Sequence, residues 1–585
     1  MEENAALAVE SVPAERAERR LRLSRRLVPG VAVLVTVLLA VFAVYFNPAR
    51  RQPLVEWLYY GSVLVWMLAI RVCYGTVWRR GTFGLLDAVL LGAFLVVFSA
   101  CWIPYYDDWR WAYTGDSLGY VGLGMQWARG HVQRSFLSAA GGIDNWLTWT
   151  QSIAFNWPML IFEPSFFWHR MGKLFVSLGA LAAIYVYLQQ VVGRWWALAV
   201  VVLLGSNYYW LWVSHVSYEH LDSQIFAYLV LAVFVSIWRE PQRYTAWALA
   251  GVISGVALFF SRVGWGELVV VGLLLSGYAA VRGHWYGLLI YGISGLIAGL
   301  PMIMQLAEVY RGGMQAVRLE SGGHQSFAHS LKIMRMILEW PPWQPSFNAG
   351  LSGPVFQLPF SYSYLAGGAL ALLAGIPPLA RWLRIPRAVF WIALLLAWEV
   401  ALLGVTNGRY ASPSQNRVYH IVPLQIVLAC VPFMLLYNWL RRWLVTRWLV
   451  VGLSAASVVV WCYFNAQVLA KPRWRVFGQN TYDGTIEAVQ KFGAPIVVFT
   501  LRPDHGHSLQ NPNEMVNVNY RLHEKVAVSN DYTPQGVREA CEYSPVICYE
   551  LFPEHKKIME QVLTQVPHEP LELVGTDELR CVRCQ

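Results

Sequence analysis

The chain has 585 residues, 56% of them hydrophobic and only 14% charged, and its mean hydropathy is +0.41. An apolar excess carried along most of the length excludes an ordinary soluble domain and is the composition of a membrane protein. The formal charge of +10 reads first as a topology signal and second as attraction to anionic lipid head groups, not as nucleic-acid binding.

A spanning helix needs about 20 mostly apolar residues to cross about 30 Å of hydrocarbon. In chain order such segments are Leu27–Phe46, Leu54–Val72, Gly84–Ile103, Leu174–Val192, Trp195–Trp212, Ser223–Trp238, Ala246–Phe260, Trp265–Val281, Trp285–Met304, Tyr364–Leu379, Ala388–Val405, Val418–Leu440 and Trp448–Phe464. The expectation is therefore an all-α polytopic membrane protein of about thirteen transmembrane helices. The short neighbours Ala246–Phe260 and Trp265–Val281 could merge. The first apolar stretch has no small-residue cleavage site and is long enough to stay as an anchor.

Lys and Arg near helix ends are held on the cytoplasmic side. The N-terminal tail carries Arg16, Arg19, Arg20, Arg22, Arg25 and Arg26, which places it inside. Alternation then puts Arg71, Arg79, Arg80, Arg194, Arg239, Arg243, Arg282, Arg381, Arg384, Arg387, Arg441, Arg442 and Arg447 in cytoplasmic loops, while Arg50 and Arg51 run against the rule.

This topology divides the chain into a basic cytoplasmic tail (1–26), a transmembrane helical domain (27–466) with outer loops at 105–170 and 305–360, and a soluble extracytoplasmic domain (467–585). With its bulk outside, such a protein has poor access to soluble nucleotide-activated substrates, whereas lipid-borne ones remain within reach. The tail turns polar after Phe464, with strand-like runs at Pro495–Thr500 and Pro545–Glu550 and a helical stretch at Glu554–Val566, the pattern of a small α/β domain.

Four cysteines lie in this tail, Cys541, Cys548, Cys581 and Cys584. In an oxidising compartment they are disulfide candidates, with the pairing open. Zinc is the alternative, but six residues separate Cys541 from Cys548 and only Cys581-Val-Arg-Cys584 has ligand spacing. Internal repeats, a Gly-rich phosphate loop and a nucleophile elbow are absent.

The densest polar chemistry follows the third span, in Tyr105-Tyr-Asp-Asp-Trp-Arg-Trp-Ala-Tyr-Thr-Gly-Asp-Ser-Leu-Gly-Tyr120. Asp107, Asp108 and Asp116 stand there at a membrane surface. Asp116 can cap a helix from Ser117 to Arg129 that Gly130 stops. It can equally act as a base, because aromatics that exclude water favour its accepting a proton.

A second cluster is Ser214-His-Val-Ser-Tyr-Glu-His-Leu-Asp-Ser223. On one helix His215, Glu219 and Asp222 share a face, where they could bind a divalent metal or form a solvated interfacial cap. Arg262, Arg409 and Arg417 on the same outer side suit a phosphate through bidentate guanidinium contacts, or snorkel at helix ends. The 29 Trp and 30 Tyr serve as interface belts. Among them Trp109, Trp111, Trp146 and Trp149 could stack on a sugar ring.

Gly115-Asp-Ser-Leu-Gly-Tyr-Val-Gly-Leu-Gly-Met-Gln-Trp-Ala-Arg-Gly130 resembles the first-loop pattern of the C-type glycosyltransferase superfamily, in particular its protein-mannosyl and aminoarabinosyl type. Ser214–Ser223 and Asn416-Arg-Val-Tyr-His-Ile-Val-Pro423 are similar to later elements of that pattern. The resemblance implies a GT-C-like fold of the bacterial inner (plasma) membrane. It also implies transfer of a sugar from a polyprenyl phosphate to an extracytoplasmic glycan, lipid or protein. Asp116 falls on the base, Glu219 and Asp222 on further acidic positions, and Arg417 on a late phosphate-binding arginine. Ser117 replaces the second acid of the usual pair, while Asp107-Asp108 forms a pair upstream. No cofactor is implied beyond the divalent metal that some members use.

Two rivals stand beside this reading. A transporter or flippase of a lipid-linked or anionic substrate would carry ionisable residues at the bilayer midplane, whereas the charges here gather at outer helix ends. A non-catalytic envelope assembly subunit would have kept the fold and lost the acidic pair.

Overall fold

The computed structural model describes residues 53–75, 83–103, 149–162, 166–215, 221–260, 265–311, 327–343, 356, 358–406, 421–440, 444–470, 487–492, 495–499, 526–529, 531–551, 553–574 and 579–585, with residues 30, 31 and 35. Helices dominate: α1 (Pro53–Tyr74), α2 (Leu85–Trp102), α3 (Trp149–Ile161), α4 (Phe166–Val191), α5 (Arg194–Gly205), α6 (Tyr208–His215), α7 (Leu221–Arg239) and α8 (Tyr244–Ala257). They continue with α9 (Trp265–Arg282), α10 (Trp285–Arg311), α11 (Phe327–Trp343), α12 (Leu358–Leu373), α13 (Pro377–Leu383), α14 (Ala388–Thr406), α15 (Val422–Leu440) and α16 (Leu444–Ala470).

Among the described residues six stretches are long and apolar enough to cross a membrane: Leu85–Trp102, Phe167–Val191, Leu221–Arg239, Ala388–Val405, Val422–Leu440 and Trp448–Gln467. Shorter apolar helices stand at other expected positions, and Leu27–Phe46 lies outside the described residues apart from 30, 31 and 35.

The expected span Trp195–Trp212 is two helices, α5 and α6, broken at Ser206–Asn207. The side-chain oxygen of Asn207 accepts from the backbone N–H of Tyr209 (3.1 Å) and Trp210 (3.3 Å), and that of Asn465 accepts from Tyr208 N–H (2.8 Å). An Asn that satisfies these orphan donors starts a new helix where hydropathy sees continuity. The stretches expected as outer loops also hold helices, α3 within 105–170 and α11 within 305–360.

Most arginines at the ends of the described helices collect at one end, with Arg170 of α4 and Arg311 of α10 at the other. Arg71 and Arg239 close α1 and α7, Arg194 opens α5, Arg282 closes α9, and Arg381 lies in α13. Contacts between elements tie that end together. Thr245 Oγ1 donates to Gly75 O at 2.9 Å, Tyr74 and Tyr286 share a 2.8 Å hydrogen bond, and Arg239 donates to Gln190 O. There Arg194 grips buried Asp87 through both carboxylate oxygens at 2.6 and 2.7 Å, with Tyr185 donating to the same carboxylate at 2.9 Å. Fully hydrogen-bonded, the charge tolerates burial between α2, α4 and α5.

A close, glycine-mediated helix contact joins α8 to α10. Gly251-Val-Ile-Ser-Gly255 faces Gly295-Leu-Ile-Ala-Gly299, the small-xxx-small pattern on both partners. A Cβ at Gly255 would lie 2.5 Å from Gly295 O and 2.7 Å from Gly299 N, and one at Gly251 2.2 Å from Tyr291 O. No larger residue fits without separating the backbones.

The C-terminal stretch forms a five-stranded sheet of order β2-β1-β3-β5-β4, from β1 (Ile496–Phe499), β2 (Val526–Ser529), β3 (Val546–Glu550), β4 (His568–Val574) and β5 (Leu579–Cys584). β1 pairs in parallel with β2 and β3, and β5 antiparallel with β3 and β4. Helices α17 (Pro534–Tyr543) and α18 (Pro553–Leu563) pack on β3 over a core of Val497, Phe499, Val537, Ile547, Tyr549, Met559 and Val582. All of Ile496-Val-Val-Phe499 is buried, as a continuous apolar run in a covered parallel strand should be. Cys541 is joined to Cys584 across 43 residues, and Cys548 to its cross-strand partner Cys581 across 33.

Two outcomes follow. Gly255→Val should lower the Tm of purified protein by several degrees, as an overpacked contact costs about 1–3 kcal/mol. Gly292→Val, where nothing lies within 4 Å of the added Cβ, should leave Tm unchanged. Non-reducing peptide mapping should recover Cys541–Cys584 and Cys548–Cys581 as linked pairs, and reduction should destabilise the sheet by roughly 3–4 kcal/mol per loop.

Candidate functional site at the end opposite the arginines

Helix α4 begins Phe166-Phe-Trp-His-Arg-Met-Gly-Lys173, with three basic groups in its first two turns. Gly172 lets α3 come backbone to backbone, since a Cβ there would sit 1.9 Å from Phe155 O. The contact encloses the basic groups. Arg170 is 1% exposed and Lys173 0%, so neither is the solvated head of a snorkelling side chain. Lys173 Nζ stands 3.7 Å over the centre of the Phe155 ring, and His169 Nδ1 meets Asn156 Oδ1 at 2.6 Å. The cation–π contact and the hydrogen bond offset part of the desolvation.

Helix α7 lies beside α4 and runs parallel to it. Gly179 approaches Ile225, the rings of Tyr187 and Tyr228 are 5.7 Å apart, and Arg239 reaches Gln190 O. The first turn of α7 therefore stands at the same end as His169 and Lys173. That turn is Leu221-Asp-Ser-Gln224, all buried, with Asp222 1% exposed. A carboxylate here gains from the positive end of the helix dipole. Ser177 and Ser214 share a 3.0 Å hydrogen bond that links α4 to α6 just beneath.

A third group of buried polar side chains joins α7, α9 and α14. Glu267, in the first turn of α9, is 3% exposed, and Glu399, in the middle of α14, is 2% exposed. Gly266 brings the helices together, so that a Cβ there would lie 3.6 Å from Glu399 Oε2. The two carboxyls are near enough for their charges to interact, and Tyr228 of α7 feels both. Glu399 is thus an ionisable group well inside an apolar helix, a position the sequence reading did not assign.

Of the residues expected to carry chemistry, only Asp222 has a described side chain within the helical bundle, and it is enclosed rather than solvated. His215 is the last residue of α6, so it belongs to a different helix from Asp222. Asp107, Asp108, Asp116, Glu219, Arg262, Arg409 and Arg417 lie outside the described residues. They fall in the stretches 104–148, 216–220, 261–264 and 407–420 of the sequence. Among the described residues no three His, Cys, Asp or Glu side chains gather as a metal would require.

Sequence reasoning passed over His169, Arg170, Lys173, Glu267 and Glu399. The signal for the glutamates was available, since each stands inside an expected span, where an ionisable residue is costly without a role. His169 and Arg170 were assigned to the outer loop 105–170, and Lys173 to no element, because the apolar window begins at Leu174.

No family model matches the chain, and no curated protein does. Among solved structures it is similar to crystal structures of ArnT from Cupriavidus metallidurans. The one bound to undecaprenyl phosphate is 13% identical, with 85% of this chain and 97% of that chain covered and a TM-score of 0.47. For the apo state the identity is 14%, the shares are 85% and 98%, and the TM-score is 0.48.

Glu399 Oε1 is buried without a hydrogen-bond partner among the described residues. Glu399→Met, which keeps the volume and removes the polar group, should raise the Tm of the protein in nanodiscs by the equivalent of about 1–2 kcal/mol. An unchanged or lower Tm would mean that the carboxyl is satisfied where it stands.

Proposed function

We propose that the chain is a membrane glycosyltransferase that takes a sugar from a polyprenyl phosphate and passes it to an extracytoplasmic glycan, lipid or protein. The observation that carries this reading is the gathering of buried cationic and acidic side chains, Arg170, Lys173 and Asp222, at one end of the helices. The sequence attaches its acidic first loop and its candidate phosphate-binding arginines at that same end.

In this reading Asp116 accepts the proton of the acceptor hydroxyl, with Asp108 and Asp107 as the nearest substitutes. The hydroxyl oxygen attacks the anomeric carbon, the bond from that carbon to the phosphate oxygen breaks, and polyprenyl phosphate leaves with inversion. Arg417, Arg409 and Arg262 receive the negative charge that develops on the phosphate. The lipid tail lies between helices, and Glu219, Asp222 and His215 position the donor; a divalent metal, where one binds, would be held by these side chains and would help neutralise the phosphate.

The same reading completes the topology. Thirteen crossings place the tail 1–26 in the cytoplasm, the helical domain 27–466 in a bacterial inner membrane, and the sheet within 467–585 outside. An oxidising outer compartment suits the two disulfides.

Glu399 supports a second reading. A buried carboxyl in mid-helix beside Glu267 is what a transporter or flippase of an anionic lipid-linked substrate would use to couple movement to protons.

Incubating the purified protein with radiolabelled polyprenyl-phosphate sugars and candidate acceptors separates the two. Asp116→Asn should cut transfer by about 100-fold or more, the usual scale for a lost general base, and Glu219→Gln should weaken it. Full transfer by Asp116→Asn, Asp108→Asn and Glu219→Gln alike would sink the site assignment. Label that crosses a proteoliposome without transfer would establish the transporter.

A further inference from the structure

A concave surface at the arginine end belongs to none of this chemistry. Between α13, the start of α14 and the end of α15 lies a cavity of about 670 Å³ lined by Arg381, Arg384, Arg387, Pro386, Ile385 and Asn438. Its size suits a small ligand or a lipid head group. The charge at this turn is of one sign: Ile376-Pro-Pro-Leu-Ala-Arg-Trp-Leu-Arg-Ile-Pro-Arg387 contains no acidic residue. Among the described residues no carboxylate pairs with any of the three arginines.

The wall is held in an unusual conformation. Arg384 closes α13 with φ 55° and ψ 32°, where a helix ending in the left-handed region ordinarily uses glycine. It is the one non-glycine residue with positive φ among the described residues. Holding an L side chain there costs on the order of 1 kcal/mol. Reciprocal contacts fix it, with Asn438 Nδ2 donating to Arg384 O at 2.9 Å and Arg384 Nη1 donating to Asn438 O at 3.4 Å. A glycine would relieve the strain and remove a guanidinium from the cavity. Trp382 and Trp439 flank the site edge to face at 5.6 Å, and both are well exposed, which sets the cavity at head-group depth.

The geometry points to a binding site for a phosphate group, clamped by Arg381, Arg384 and Arg387 at the membrane face opposite the polar site. The phosphate belongs either to an anionic phospholipid of that leaflet or to a soluble anion. Guanidinium forks match phosphate oxygens in either source, and basic pockets between helix ends are a known form of head-group recognition. A general charge bias explains the sign of these residues but not their convergence: Arg282, equally basic and exposed at the same end, lines no part of the cavity.

The test is native mass spectrometry of delipidated full-length protein, titrated separately with phosphatidylglycerol, phosphatidylcholine and inorganic phosphate. Saturable binding of phosphatidylglycerol, but not phosphatidylcholine, is expected. It should weaken roughly thirtyfold in the double variant Arg381→Gln/Arg387→Gln, at about 1 kcal/mol for each arginine near the surface. That variant leaves Arg384 and its contacts with Asn438 in place, and an unchanged Tm verifies its fold. Binding of inorganic phosphate with the same sensitivity would support the site and assign it to a soluble anion. Arg282→Gln should bind as the parent does. Equal loss in Arg282→Gln, or equal binding by the double variant and the parent, would overturn the proposal.

Discussion

Gly251 and Gly255 against Gly295 and Gly299 show the constraint under which this helical structure is built. Between apolar helices in a bilayer there is little hydrophobic gain from association, because lipid tails are as apolar as Leu side chains. Helices must instead be held by close packing and by polar contacts that lipid cannot offer. Where glycine removes the side chain, backbones touch, and whatever stands beside them is sealed from water. Gly172 seals Lys173 against Phe155 and His169 against Asn156, and Gly266 brings α9 onto Glu399.

The same constraint gives the two ends different characters. At the arginine end Asp87 meets Arg194 and Tyr185, Asn438 meets Arg384, and Thr245 meets the Gly75 carbonyl. At the opposite end the enclosed groups are more numerous and of mixed sign. Arg170, Lys173, Asp222, Glu267 and Glu399 lie within a few helix turns of stretches rich in acidic and basic residues. That asymmetry joins the fold to the proposed transfer reaction.

The six long apolar stretches were legible because about 20 consecutive apolar residues is a strong signal. The strands Ile496–Phe499 and Val546–Glu550 were legible for the opposite reason, as short apolar runs bounded by polar turns. The break at Asn207 was not, because an N-cap is one side chain in an apolar stretch and hydropathy averages over it. Helices α3 and α11 were hidden by their polar residues. Of the candidate site, the sequence singled out Asp222 with two readings open, a metal-binding face and a solvated interfacial cap, and its burial at the start of α7 excludes the solvated one.

What the sequence by itself determined is the class of molecule: an apolar helical chain with arginines weighted to alternate connections and a polar, cysteine-bearing C-terminal stretch. These are properties of composition and spacing, and they need no knowledge of which helix touches which. Only the tertiary structure decided that Gly266 of α9 comes up against Glu399 of α14, that Lys173 faces Phe155, that Cys548 joins Cys581, and that three arginines converge on Asn438. Each of these depends on how close two distant segments come. That distance is set by side-chain volume at the contact, which hydropathy does not register.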